Sequence, residues 1–248
     1  LIRSVLLKLQ ILLFQKEFGN NKIKYIFEKH KDSDALVVVF SGFSAVGEPA
    51  KYNYMRALQE LRVNKLFILD DFGYQNRGGY YLVGREAADE SLPDEICRLI
   101  SRFRGNRRLI TAGSSKGGSA ALLYGVISEA EDIIVGAPQY YIGDYLSTEE
   151  HLNILQGICG NTSSDSIKYL NNVLPSRICS ADNKAKPAVY LHCSPQEHTY
   201  EEHVKGLLED LENHGFRVYG DFDHSYSEHS CVGKYFAGYL QETLKESV

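Results

Sequence analysis

The sequence has no dense run of lysine and arginine, and its 248 residues carry a formal net charge of −5 with a pI near 5.9. Without a basic stripe there is no electrostatic footprint for nucleic acid or an anionic membrane surface, so neither is expected as a partner. There is no CxxC pair: Cys97, Cys159, Cys179, Cys193 and Cys231 are odd in number and widely spaced. That spacing argues against a disulfide framework and points to buried thiols in a reducing compartment, the cytoplasm. No apolar run is long enough to span a bilayer. The nearest, 1–14, is broken by Arg3, Lys8 and Gln10 and reads as an amphipathic docking helix, so no transmembrane segment is expected. Repeats, low-complexity linkers and a clean domain boundary are also missing, which leaves one domain. The histidine-bearing loops lack compact metal-ligand spacing, and neither a metal nor an organic cofactor is implied.

What is present is an alternation of short apolar runs with helical periodicity, the pattern of a mainly parallel sheet flanked by helices on both faces. Strands are expected at 22–28, 36–40, 66–69, 108–112, 133–135, 188–193 and 216–219. Leu92, Ile96, Leu99, Ile100 and Phe103 keep i, i+3, i+4 spacing ahead of Gly105, which marks a helix end. Thr199 and Glu202 have the spacing of a capping box for a second helix that Gly215 stops. Val232, Phe236, Tyr239 and Leu240 give a third, at the C-terminus. The stretch 139–186 breaks the rhythm around an expected helix at 167–174 and reads as a cap or lid insertion.

The most informative residues are Gly113-Ser114-Ser115-Lys116-Gly117-Gly118, between the strand ending near Ala112 and the helical run from Ala120. This is G-x-S-x-G in the strand-turn-helix setting of an α/β-hydrolase nucleophile elbow, with Ser115 as the nucleophile. Gly113 and Gly117 keep the crossing tight, and the Lys116 N–H opens a helix N-terminus where an oxyanion would form. A mere tight turn is the bland alternative. A phosphate-cradling loop fits less well, because Lys116 precedes Gly117-Gly118-Ser119 rather than closing a G-x-x-x-x-G-K-[ST] pattern.

The hydrolase order of serine, acid, then histidine is available downstream. Glu197, in the loop after the strand 188–193, is the expected acid; a first-turn acid favouring the next helix dipole is its alternative. His229, directly before the last helix, is the expected base, with His224 as the alternative and Asp223 or Glu228 as rival acids. His192 and His198 read as structural. The second oxyanion donor is expected from Phe43 or Ser44, after the strand 36–40. Tyr52, Asn53, Tyr80 and Tyr81, on loops at the carboxyl edge of the sheet, are candidate ligand contacts, with ordinary packing as the competing reading.

Phe40-Ser41-Gly42, Lys51-Tyr52-Asn53-Tyr54, Leu69-Asp70-Asp71-Phe72-Gly73, Gly79-Tyr80-Tyr81-Leu82 and the elbow together resemble a bacterial branch of the α/β-hydrolase superfamily. That branch includes capsular polysaccharide biosynthesis proteins and, more distantly, accessory secretion-system proteins linked to glycan acetylation. The resemblance implies an enzyme acting on a small-molecule or glycan ester through an acyl-enzyme. Hydrolysis of a polar ester leads this reading; O-acyl transfer in surface polysaccharide biosynthesis, or glycan binding without catalysis, stands as the alternative.

Overall fold

The computed structural model describes residues 2–44, 47–83, 91–181 and 186–248. In chain order the elements are α1 (Ile2–Phe14), β1 (Lys16–Phe18), β2 (Ile23–Glu28), β3 (Ala35–Phe40), β4 (Asn64–Ile68), α2 (Leu92–Arg104), β5 (Arg108–Ser114), α3 (Lys116–Ile127) and β6 (Asp132–Gly136). Four short helices follow: α4 (Ile142–Leu146), α5 (Leu152–Cys159), α6 (Ser164–Asn171) and α7 (Val173–Ser180). The chain closes with β7 (Ala188–Cys193), α8 (Lys205–Asn213), β8 (Arg217–Phe222) and α9 (Val232–Ser247).

The eight strands form one sheet in the order β1-β2-β4-β3-β5-β6-β7-β8. The β1–β2 and β2–β4 pairs are antiparallel, and every pair from β4 through β8 is parallel. β3, β4 and β6 are buried at every residue, as strands covered on both faces must be, which is why they read as continuous apolar runs. α3 packs on β3, β5 and β6, and α9 packs along β5, β6 and β7. Leu7 and Ile11 of α1 touch the core while Leu12, Leu13 and Phe14 are exposed. No helix among the described residues is long and apolar enough to cross a membrane.

The expected strands lie within two residues of the observed starts, whereas β1, only Lys-Glu-Phe, has no apolar alternation to announce it. The helix expected at 167–174 is divided between α6 and α7 at Asn172. Thr199 forms no capping box: its hydroxyl donates to Glu197, and a π-helical turn over Tyr200–Val204 leads into α8. Residues 182–185 of the expected insertion lie outside the described residues.

Candidate active site

Ser115 sits where the central strand β5 turns into α3, with φ 52° and ψ −128°, a conformation that costs a non-glycine residue strain. Gly117 permits the close crossing: a Cβ there would come within 2.5 Å of the Phe40 carbonyl oxygen, and one on Gly113 would overlap the Gly117 carbonyl. The Ser115 N–H donates to Gly136 O at 2.8 Å, tying the elbow to the end of β6. Behind it, the hydroxyls of Ser114 and Tyr54 are hydrogen-bonded, and burial raises the Tyr54 phenol to about 12.

His229 Nε2 lies 2.8 Å from Ser115 Oγ, and its Nδ1 is hydrogen-bonded to Glu197 Oε1. Glu197 is buried, and its Oε1 also accepts the Thr199 hydroxyl. His224 is exposed and has no contact with Ser115. Asp223 Oδ1 accepts the Ser225 N–H instead of steering a ring, and Glu228 is exposed. His192 is buried with Nδ1 2.7 Å from Asp221 Oδ2. His198 is exposed beside Glu202.

Two groups that sequence reasoning did not find stand at this point. Gln139, fully buried just past β6, points Nε2 at Ser115 Oγ (2.8 Å) and at His229 Nε2 (3.1 Å), while its Oε1 accepts from the Tyr80 hydroxyl at 3.3 Å. Arg77 lines the same cleft as Ser115 and His229. The cleft, about 350 Å³, adjoins a second hollow of about 570 Å³ edged by His198, Glu202 and His203, and Tyr145, Glu150, His151 and His229 border both. Burial pushes His151 down from its ordinary value, and Arg77 and His229 push it further against the pull of Glu150. Burial, then Glu150 and Glu197, raise the Tyr145 phenol to about 12. Among the described residues no group of three or more His, Cys, Asp or Glu is arranged to hold a metal ion.

Phe43, Ser44 and Asn53 line the cleft, and Asn53 Oδ1 accepts the Gly42 N–H at 3.0 Å, which fixes the loop beside the elbow. The Lys116 N–H opens α3, where the first amides have no intrahelical acceptor. Three of the four expected ligand contacts lie elsewhere. Tyr81 is fully buried, its hydroxyl donating to Ile68 O at 2.8 Å, and Tyr80 is buried behind Gln139. Tyr52 bonds Gln15 through its hydroxyl and does not border the cleft. The Lys116 side chain is buried against Asp70 Oδ2 at 2.7 Å and lies 5.1 Å from the Phe43 ring centre, so this lysine braces the loop that carries Phe43. A hydroxyl, imidazole and carboxylate bonded in series beside a helix N-terminus can pass a proton off the hydroxyl as it attacks a carbonyl.

The parallel sheet, the strained serine turn at its centre and the crossover order define the α/β-hydrolase fold. No protein-family model and no curated protein sequence matches the chain. Among solved structures it is similar to the capsule O-acetyltransferase of Neisseria meningitidis serogroup A, at 22% identity and a TM-score of 0.78 over 92% of this chain and 94% of that one. It is also similar to the glycosylation-associated Gap123 complex of Streptococcus agalactiae, at 19% identity and a TM-score of 0.73, over 94% of this chain and 46% of that one. An S-formylglutathione hydrolase of Agrobacterium tumefaciens has the same fold at 15% identity and a TM-score of 0.65, over 94% and 92% of the two chains.

Proposed function

We propose that the protein is a serine O-acyltransferase that forms an acyl-enzyme at Ser115 and passes the acyl group to a hydroxyl of a polar, carbohydrate-like acceptor. The hydrogen-bonded series Ser115, His229 and Glu197 carries the reading. His229 Nε2 takes the Ser115 proton as Oγ bonds to the acyl carbon, and Glu197 stabilises the resulting imidazolium. The Lys116 and Phe43 N–H groups, with Ser44 beside them, receive the oxyanion. His229 returns the proton to the leaving group, then takes one from the acceptor hydroxyl as that oxygen bonds to the acyl carbon, and gives it to Ser115 Oγ as the acyl–Oγ bond breaks.

Transfer is preferred to hydrolysis because the O-acetyltransferase fits the fold at a TM-score of 0.78 against 0.65 for the hydrolase. A thioester donor is the natural first choice, since that acetyltransferase occurs with CoA and the hydrolase is named for a thioester. Hydrolysis of a polar ester is the second reading, favoured by the same acyl-enzyme geometry, with water replacing the acceptor. In this scheme the helices α4–α7 and their connections act as a cap on a single domain, Tyr145, Glu150 and His151 being its contributions to the cleft, and the free thiols suit the cytoplasm.

A fluorophosphonate probe tests the reading: Ser115 should be labelled, and Ser115→Ala and His229→Ala should abolish labelling. Intact labelling of Ser115→Ala would sink it. Incubation with acetyl-CoA and mixed glycans, weighing acetylated product against free acetate, decides between transfer and hydrolysis.

A further inference from the structure

We propose that Arg77 is an anion-binding residue of the cleft, and that the substrate brought to Ser115 carries a carboxylate or phosphate group. The inference deepens the acyl-transfer reading by naming a substrate class, and it rests on that reading only in calling the bound anion a substrate.

Arg77 is only 9% exposed, yet it lines the cleft with Ser115 and His229. Its Nε is buried without a hydrogen-bond partner, and among the described residues no carboxylate stands within ion-pair distance of its guanidinium. A guanidinium stays charged at any physiological pH, so a buried one without a counter-charge is costly unless something supplies the charge. The acids nearest in sequence are already committed: Asp70 to Lys116 Nζ at 2.7 Å and Asp71 to Lys24 Nζ at 2.6 Å. Glu150 borders the same cleft but is exposed and makes no ion pair with it.

The backbone of the loop that carries the residue is held by hydrogen bonds. The Arg77 N–H donates to Tyr74 O at 3.1 Å and the Gly78 N–H to Phe72 O at 2.9 Å. Asp70 Oδ2 accepts the N–H groups of Gly79 at 2.9 Å and Tyr81 at 3.0 Å. The charge of Arg77 acts on the cleft walls, opposing ionisation of His151 to imidazolium and favouring that of the Tyr145 phenol. A planar guanidinium without a counter-charge, on the wall of the cleft that Ser115 and His229 share, matches the bidentate geometry of a carboxylate or phosphate.

Inorganic phosphate and acetate are the first probes, titrated into the Ser115→Ala protein and followed by amide NMR shifts of cleft residues. Both ions should bind, about 10- to 100-fold more weakly once Arg77→Gln is added, the range expected for one charge-assisted contact. Arg77→Lys, which keeps the charge and loses the fork, should fall between and guards against a folding defect in Arg77→Gln. Equal binding with and without Arg77, or no binding of either ion, overturns the inference.

Two kinetic arms locate the anion: acetyl-CoA against S-acetylpantetheine as donors, and a sugar phosphate and a uronic acid against a neutral sugar as acceptors. The arm in which the wild type favours the charged member and Arg77→Gln loses that preference identifies the carrier. No preference in either arm counts against a charged substrate. Phosphate binding that depends on Arg77 without fluorophosphonate labelling of Ser115 would fell the acyl-transfer reading alone; labelling without Arg77-dependent binding would fell this one alone.

Discussion

The carboxamide nitrogen of Gln139 lies 2.8 Å from Ser115 Oγ, on a side chain that is itself fully buried. The same nitrogen lies 3.1 Å from His229 Nε2, so one amide faces both ends of the proton path. Gln139→Ala should slow fluorophosphonate labelling about five- to tenfold, the value of one neutral hydrogen bond. Gln139→Glu should cost more, because a carboxylate there opposes negative charge developing on Oγ. Labelling rates of the two variants check this order, and a Gln139→Glu rate equal to wild type would remove Gln139 from the path.

Glu197 Oε1 takes two hydrogen bonds, from His229 and from Thr199, whereas its Oε2 has no partner among the described residues. Glu197→Gln should lower turnover about 10⁴-fold, short of the roughly 10⁶-fold expected for Ser115→Ala, since the acid orients and stabilises an imidazolium without taking its proton. Thr199→Val should cost only about three- to tenfold. Single-turnover acylation rates of the three variants give the ranking.

Lys116 and Asp70 are an ion pair with no exposure on either side chain, and burial lowers the lysine from its ordinary value while Asp70 raises it. Lys116→Met leaves a buried carboxylate alone and should destabilise the protein by about 3–5 kcal/mol. Asp70→Asn combined with Lys116→Met should recover part of that loss, because the asparagine oxygen still accepts from Gly79 and Tyr81. Urea unfolding of the single and double variants measures the recovery.

His203 is buried, accepts the Tyr141 N–H on Nδ1 at 3.3 Å and has no partner for Nε2 among the described residues. Burial, with His229 and His198 adding to it against Asp144 and Glu197, pushes it down to about 4. The fold therefore favours the neutral ring, and the unfolded chain binds the additional proton. Its contribution, on the order of 3 kcal/mol, is whole above about pH 6.5 and is lost as pH falls toward 4. His203→Gln should flatten the dependence of unfolding free energy on pH across that window, whatever its stability at pH 7.

The parallel core was legible because β3, β4 and β6 are buried on both faces and leave unbroken apolar runs. The serine turn was legible because the backbone crossing at Gly113 and Gly117 admits no side chain. Arg77 and Gln139 were not, since only the folding of distant loops brings them beside Ser115. Tyr80 and Tyr81 misled for the same reason: aromatic residues on a loop look available until the loop turns them inward, as their φ values of 57° and 58° do here. At Thr199 the capping rule failed because the residue is itself helical, with φ −65° and ψ −16°, where an N-cap residue is extended.

Ser115 hangs from the middle of the sheet, but its imidazole partner lies 114 residues later, just beyond β8, the strand at the sheet's outer margin. β8 is mostly exposed and pairs on one side only. Mild denaturant should loosen this margin before it opens the centre, so turnover should vanish while circular dichroism is still native. During synthesis the order runs in reverse: the nucleophile leaves the ribosome 114 residues before its base, and the nascent chain stays chemically silent until β8 and the turn that carries His229 have folded.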